Sequence, residues 1–372
     1  NNFGFIGRLF GSTGAATISG PGSIWTNTAQ FHVGPNGKGT LNITNAGAIQ
    51  SSSTWIAAYG SGVGVATISG EGSTWNNEGS IVIGSEGNGT LNIKDQAVVN
   101  SDGIIGFTAN SLGTVNVSGP GSTWNNPNSL SVGSSGNGTM NILNGGFVNT
   151  ASSSIGIMAD AIGRVTVSGI GSVWTSDRLT FGSRGFGMLN IHYDGHVQVK
   201  DSLTMDIFDK TTAFITMGSG GSLTLPGDAE GWLSEFLDSI RGNVDIRYWD
   251  ESASAWSHIT NATPGVDYTL SSFIDTDLIE RTTLKVLAPT PLGDTDRNGV
   301  VDTDDLANLL AQFGGAPTEY SADFNLDGKV DMADFAILRR HFGVGFIPPP
   351  SSPEAPTPTP EPTRVQTANP LN

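Results

Sequence analysis

Val115-Asn116-Val117-Ser118-Gly119, with Gly-Ser-Thr-Trp at 121–124 just beyond it, is one of four copies of a motif. The others are Ala16-Thr17-Ile18-Ser19-Gly20, Ala66-Thr67-Ile68-Ser69-Gly70 and Val165-Thr166-Val167-Ser168-Gly169, spaced by 50, 49 and 50 residues. Each runs into Gly-Ser-X-Trp, which sets Trp25, Trp75, Trp124 and Trp174 in register. A related motif falls midway between copies, at Leu41-Asn42-Ile43, Leu91-Asn92-Ile93, Met140-Asn141-Ile142 and Leu189-Asn190-Ile191. The structural period is therefore half the full spacing, and eight units align.

Aligned, the units form columns. Gly14, Gly39, Gly64, Gly89, Gly113, Gly138, Gly163 and Gly187 stand in one, read as supplying turn conformations. Ile18, Ile43, Ile68, Ile93, Val117, Ile142, Val167 and Ile191 stand in another, with Thr or Asn immediately before each. Apolar, polar, apolar is the period of a strand with one face inward and one toward water. A unit of about 24–25 residues cannot bury its apolar face alone, so stacking must create the core. The fold class expected is mainly β, a parallel β-helix (β-solenoid) with one such unit per coil and Gly-rich corners. Within a coil, strands are expected near 40–44, 47–50 and 54–58. A sandwich or propeller with ~50-residue blades is the alternative, disfavoured because the half-period survives in every unit. Small and large residues alternate before the polar column (Ala16, Leu41, Ala66, Leu91), which suggests interlocking layers. The Asn/Thr column is expected to form a hydrogen-bonded ladder. The tryptophans are either core filler at wide corners, the favoured reading, or an exposed row for stacking on sugar rings. The repeat region is similar to the parallel β-helices of bacterial surface and pectate-lyase-like proteins, and residues 1–225 are assigned to it.

The periodicity fades after about residue 200. Apolar residues at Trp232, Leu233, Phe236, Leu237 and Ile240 have helical spacing, and strand-like pieces follow at 244–249 and 282–287. Residues 226–290 are read as a cap or small α+β domain covering the sheet edges at the solenoid's end.

Charge is uneven across the 372 residues, which carry a net −17. Residues 1–200 hold 7 basic and 8 acidic side chains, 201–290 hold 5 and 14, and 291–343 hold 4 and 10. No basic stripe suits nucleic acid. No apolar run approaches the ~20 residues of a membrane span. Cysteine is absent, so disulfides and thiolate metal sites are excluded. That composition fits a secreted, extracellular or cell-surface bacterial protein, Asn1 following a processed leader.

The most specific local signal lies at 294–334. Asp294, Asp296, Asn298, Asp302 and Asp305 occupy positions 1, 3, 5, 9 and 12 of a loop with Gly299 at position 6. Asp323, Asn325, Asp327, Asp331 and Asp334 repeat the pattern further on, with Gly328 as the matching glycine. Oxygen ligands at this spacing, with the position 7 carbonyls of Val300 and Lys329, suit a hard cation, so two Ca²⁺ sites are expected. Each loop runs into a helix, near 303–313 and 332–342. Two loop–helix units with Asp at position 12 resemble a type I dockerin over 291–346. The resemblance implies a cohesin-like partner, met at Thr303, Asp304, Leu310 and Ala311 and at Met332, Ala333, Arg339 and Arg340. Beyond it, 347–372 is a Pro/Thr-rich linker or tail of polyproline II character.

Two functions are compatible with this organisation. The first is a non-catalytic structural or adhesive rod, displayed or assembled through the C-terminal module, with copies of itself or a polysaccharide as further partners. The second is a polysaccharide lyase or glycoside hydrolase borne by a dockerin. Its only candidate cluster is His192, Asp194, His196 and Lys200, with His192 and His196 neighbours on adjoining strands. The cluster's place at the most degenerate repeat favours a solvated terminal coil.

Overall fold

The structure, a computed structural model, describes residues 3–205, 213–229, 231–250, 253, 255–287, 293, 295, 301–314, 322, 324 and 329–342. Residues 4–224 form a parallel β-solenoid of about nine turns. Each turn contributes one strand to each of two sheets, so strands adjacent in a sheet alternate in the chain. One sheet carries the Asn/Thr column, beginning Thr13–Ser19, Lys38–Thr44, Val63–Ser69 and Asn88–Lys94. The other carries the tryptophans, beginning Ile24–Val33, Ala48–Ile56, Thr74–Ile83 and Val98–Ile105.

The three-strand coil expected from sequence is corrected to two. The pieces expected near 47–50 and 54–58 are one strand, Ala48–Ile56, whose register shifts at Ser51/Thr54. Nothing between them breaks the chain, because Ser51-Ser52-Ser53 has neither Gly nor Pro. A bulge bends the strand where a corner was expected. Matching shifts fall at Asn27/Gln30, Asn76/Ser80 and Asn125/Leu130.

The aliphatic column lies in one continuous core. Ile43, Ile68, Ile93, Val117, Ile142, Val167 and Ile191 are fully buried, and Ile18 of the first turn nearly so. The outer ladder forms as expected: Asn116 Nδ2 donates to Asn92 Oδ1 and Asn141 Nδ2 to Asn116 Oδ1, both at 2.9 Å. A second ladder on the tryptophan sheet links Asn100 to Asn76 at 2.7 Å and Asn125 to Asn100 at 2.9 Å.

The glycine column has a different cause from the one expected. None of Gly14, Gly39, Gly64, Gly89, Gly113, Gly138, Gly163 and Gly187 has positive φ. At each, a Cβ would come within 3.0 Å of backbone from a neighbouring corner. For Gly138 the obstacles are Gly133 N and Ile105 O. These are places of close backbone approach, not turns.

Trp75, Trp124 and Trp174 are fully buried and Trp25 partly so, which settles the tryptophan row as core. Behind the bulges runs an interior polar column, Asn27, Ser51, Asn77, Ser101, Asn126, Thr150 and Ser176, all buried. Asn accompanies Trp25, Trp75 and Trp124, while Ser or Thr stands in the turns between them and in the last two. The pairing has a purpose: Trp75 Nε1–H donates to Ser51 Oγ at 2.9 Å and Trp124 Nε1–H to Ser101 Oγ at 3.1 Å. Ser51 Oγ donates onward to Asn77 Oδ1 at 2.7 Å. A buried indole N–H favours such a partner; Trp174 Nε1, also buried, has none among the described residues.

The last turns change character. Ser222–Pro226 pairs antiparallel with Glu280–Val286, which pairs antiparallel with Tyr268–Ile274. On the other sheet, Ala213–Met217 is followed by Ile246–Asp250 and its antiparallel neighbour Ala255–His258. The helix expected at 230–240 is the short α1, Leu233–Asp238. Phe236, Ile246, Tyr248, Ile259, Tyr268 and Leu284 join the solenoid's own core cluster. Arg281, 1% exposed, ties the hairpin down: it pairs with Asp275 and donates to the Lys200 carbonyl at 3.0 Å. Ile207, Glu230 and residues 347–372 lie outside the described residues.

Two further helices, α2 (Thr303–Gln312) and α3 (Met332–His341), belong to the acidic segment. Their own small core joins Val301 with Val330 and Leu309 with Leu338, each pair occupying equivalent positions of the two units.

Candidate functional site

Asp302 and Asp331 occupy the N-caps of α2 and α3, accepting from Asp304 N (2.9 Å) and Ala333 N (2.7 Å). An acidic cap satisfies an orphan N–H and opposes the helix dipole. Asp305 and Asp334, three residues on, complete capping boxes and are fully buried. Asp305 Oδ1 accepts from Thr295 N at 2.6 Å and its Oδ2 from Asp302 N at 2.9 Å. Asp334 repeats this with Phe324 N at 2.7 Å and Asp331 N at 2.9 Å. In both units the position 12 carboxylate therefore ties positions 2 and 9 of its own loop together. The donors described there are hard oxygens, the set a Ca²⁺ ion takes. Asp294, Asp296, Asn298, Val300, Asp323, Asn325 and Asp327 lie outside the described residues; Lys329, which carries the second position 7 carbonyl, is within them.

The partner positions implied by the dockerin resemblance share one property. Thr303, Asp304, Leu310 and Ala311 on α2 are exposed, as are Met332, Ala333, Arg339 and Arg340 on α3. Leu310 and Met332 are 59% and 64% exposed. The two faces are unlike: α2 presents Asp304 and Leu310 where α3 presents Ala333 and Arg339.

The His192 cluster does not assemble into a constellation. Residues 192–195 form a tight turn between the sheets, closed by Gly195 N donating to the His192 carbonyl at 3.0 Å. Tyr193 and Asp194 hold the left-handed positions that Asn45 and Ala46 hold in the second unit. His192 Nδ1 lies 3.2 Å from Ser168 Oγ, while His196 Nδ1 lies 2.9 Å from Ser222 Oγ. The expected neighbours thus flank a turn, and each pairs with an adjacent coil of its own sheet. Asp194 forms an exposed ion pair with Lys285 at 3.2 Å. Lys200 engages Arg281 through its backbone carbonyl. A histidine at the end of a strand was legible; its service as a coil-to-coil spacer required the register.

Burial lowers both imidazoles, His192 to about 4. The unfolded chain takes up this proton near 6.5 but the folded chain only near 4, so stability falls as pH drops through that window. For His192 the loss reaches roughly 3 kcal/mol at its lower end. Thermal denaturation at pH 7 and pH 4.5 should show a smaller drop in His192→Gln than in the parent. Equal drops would contradict the assignment.

The chain matches no family model, no curated protein and no solved structure. Among the described residues no helix is long and apolar enough to cross a membrane.

Proposed function

We propose that the chain is a non-catalytic extracellular rod, displayed or assembled through a Ca²⁺-dependent C-terminal module of dockerin type. The observation that carries this reading is the duplication within the acidic segment. Position by position, Asp302, Asp305, Val301 and Leu309 have the same roles as Asp331, Asp334, Val330 and Leu338. Two loops closed alike by a buried carboxylate support two Ca²⁺ sites. The ion would supply the positive charge that gathers the loop carboxylates; this chain's residues cap the helices and close the loops. The exposed Leu310, Met332, Arg339 and Arg340 would face a cohesin-like partner, with Thr303 and Asp304 beside them.

The rod itself supports the non-catalytic half of the proposal. Its outward columns are mostly Asn, Thr and Ser, interrupted in the first turns by the stacked rings of Phe5, His32 and Trp55, and the residues of the His192 cluster serve as spacers and an ion pair. No observation on the described residues favours the lyase or hydrolase reading.

Calcium titration of the chelated protein tests the module. Ca²⁺ at a hundredfold excess over its dissociation constant stabilises a binding-competent fold by about 2.7 kcal/mol. Circular dichroism should show a gain of helix on Ca²⁺ addition, absent in Asp305→Asn/Asp334→Asn, while the β signal stays constant. No calcium response in the parent would refute the module; a normal response in the double variant would refute its ligands.

A further inference from the structure

Over the first turns, the bulges of the tryptophan sheet open outward into a hollow of about 500 Å³. Its lining includes Thr26, Asn27, Gln50, Ser51, Asn76 and Glu78, with no aromatic and no cationic side chain. Asn27 forms part of its floor and is 2% exposed. Its Nδ2 donates to the Gln30 carbonyl at 2.9 Å, whereas its Oδ1 has no hydrogen-bond partner among the described residues. An unmet buried acceptor is unfavourable, so a donor that reaches it through the hollow gains more than one meeting solvent.

The rim dictates what kind of donor. Gln50 and Asn76 offer amides that both donate and accept, and Glu78 only accepts. With a carboxylate and no cation, phosphate, sulfate and uronate are disfavoured. A neutral ligand carrying several hydroxyls matches, since each hydroxyl donates and accepts. The amide row also continues along the axis from Asn76 to Asn100 and Asn125, one residue per turn at ~4.8 Å. We propose that this hollow is a saccharide subsite, taking a neutral glycan along the axis with hydroxyls donating to Asn27 Oδ1 and Glu78. It adds a ligand class to the adhesive rod and does not depend on calcium at the C-terminal module.

The full chain is titrated with cellohexaose, mannohexaose and xylohexaose at millimolar concentration, by calorimetry, with and without EGTA. At least one should bind, and EGTA should not matter. Gln50→Ala and Glu78→Ala, both exposed positions, should each weaken binding at least tenfold without shifting the melting temperature. Thr139→Ala on the opposite sheet should bind as the parent does. The subsite is overturned if none of the three binds, or if neither rim variant weakens binding. A crystal soaked with the sugar that shows only ordered water on Asn27 Oδ1 overturns it as well.

Discussion

Gly138→Val should prevent the repeat region from folding cooperatively. The position lies at the start of Asn137–Leu143, where Cβ would strike Gly133 N and Ile105 O. Both obstacles are main chain, fixed by coil-to-coil hydrogen bonds on either side, such as Gly133 N to the Ile105 carbonyl at 2.8 Å. A flexible side chain could swing aside; this backbone moves only if two coils separate. Overpacking in ordinary cores costs about 1–3 kcal/mol, and a backbone clash shared between coils should exceed it. Urea denaturation reads the result, with Thr139→Val on the outer face as the control, expected within ~0.5 kcal/mol of the parent. A Gly138→Val protein as stable as the control would show that the corners are wider than described.

Trp124→Ala should cost about 3–5 kcal/mol, the range for removing a large buried aromatic side chain. Trp124 is fully buried, and its ring rests against Gly103 of the preceding turn, where a Cβ would meet its Cζ2 at 2.5 Å. The loss therefore combines a cavity with the stranded Ser101 hydroxyl. Trp124→Phe should cost less, leaving chiefly the lost indole N–H···Oγ bond of about 1 kcal/mol and a smaller void. Equal costs for the two would place the energy in the hydrogen bond and not in packing. Denaturant midpoints of the three proteins decide.

Much of the solenoid was legible because a repeat multiplies weak signals. One Val-Asn-Val says little, but eight related segments in register identify an inward column, an outward ladder and a coil length. What was misread depends on contacts between coils. The Gly138 column looks like turn chemistry until the neighbouring corner is in place. The Ser51-Ser52-Ser53 run looks like a corner, and it is a bulge in a continuous strand. The interior polar column was missed although Trp75-x-Asn77 and Trp124-x-Asn126 repeat it plainly. Polar residues beside an apolar period are read as surface, and the Trp75–Ser51 and Trp124–Ser101 bonds explain why they are inside. The antiparallel closure at Glu280–Val286 has no repeat behind it, so local pattern gave a strand without its partner. At the acidic segment the loop spacing was legible, whereas the tie from Asp305 to Thr295 required folded geometry.

The absence of cysteine permits a direct test of the single stacking axis. Ala15, Thr40, Thr90 and Thr139 share one outward column, paired coil to coil through intervening strands. Spin labels on cysteines at Thr40 and Thr139, four coils apart, should lie ~19 Å from each other, and at Ala15 and Thr139, five coils apart, ~24 Å. Dipolar spectroscopy should return separations that grow in proportion to the number of coils between the labels. Separations that level off or shorten as coils are added would place the units around a centre, as blades, and contradict the solenoid.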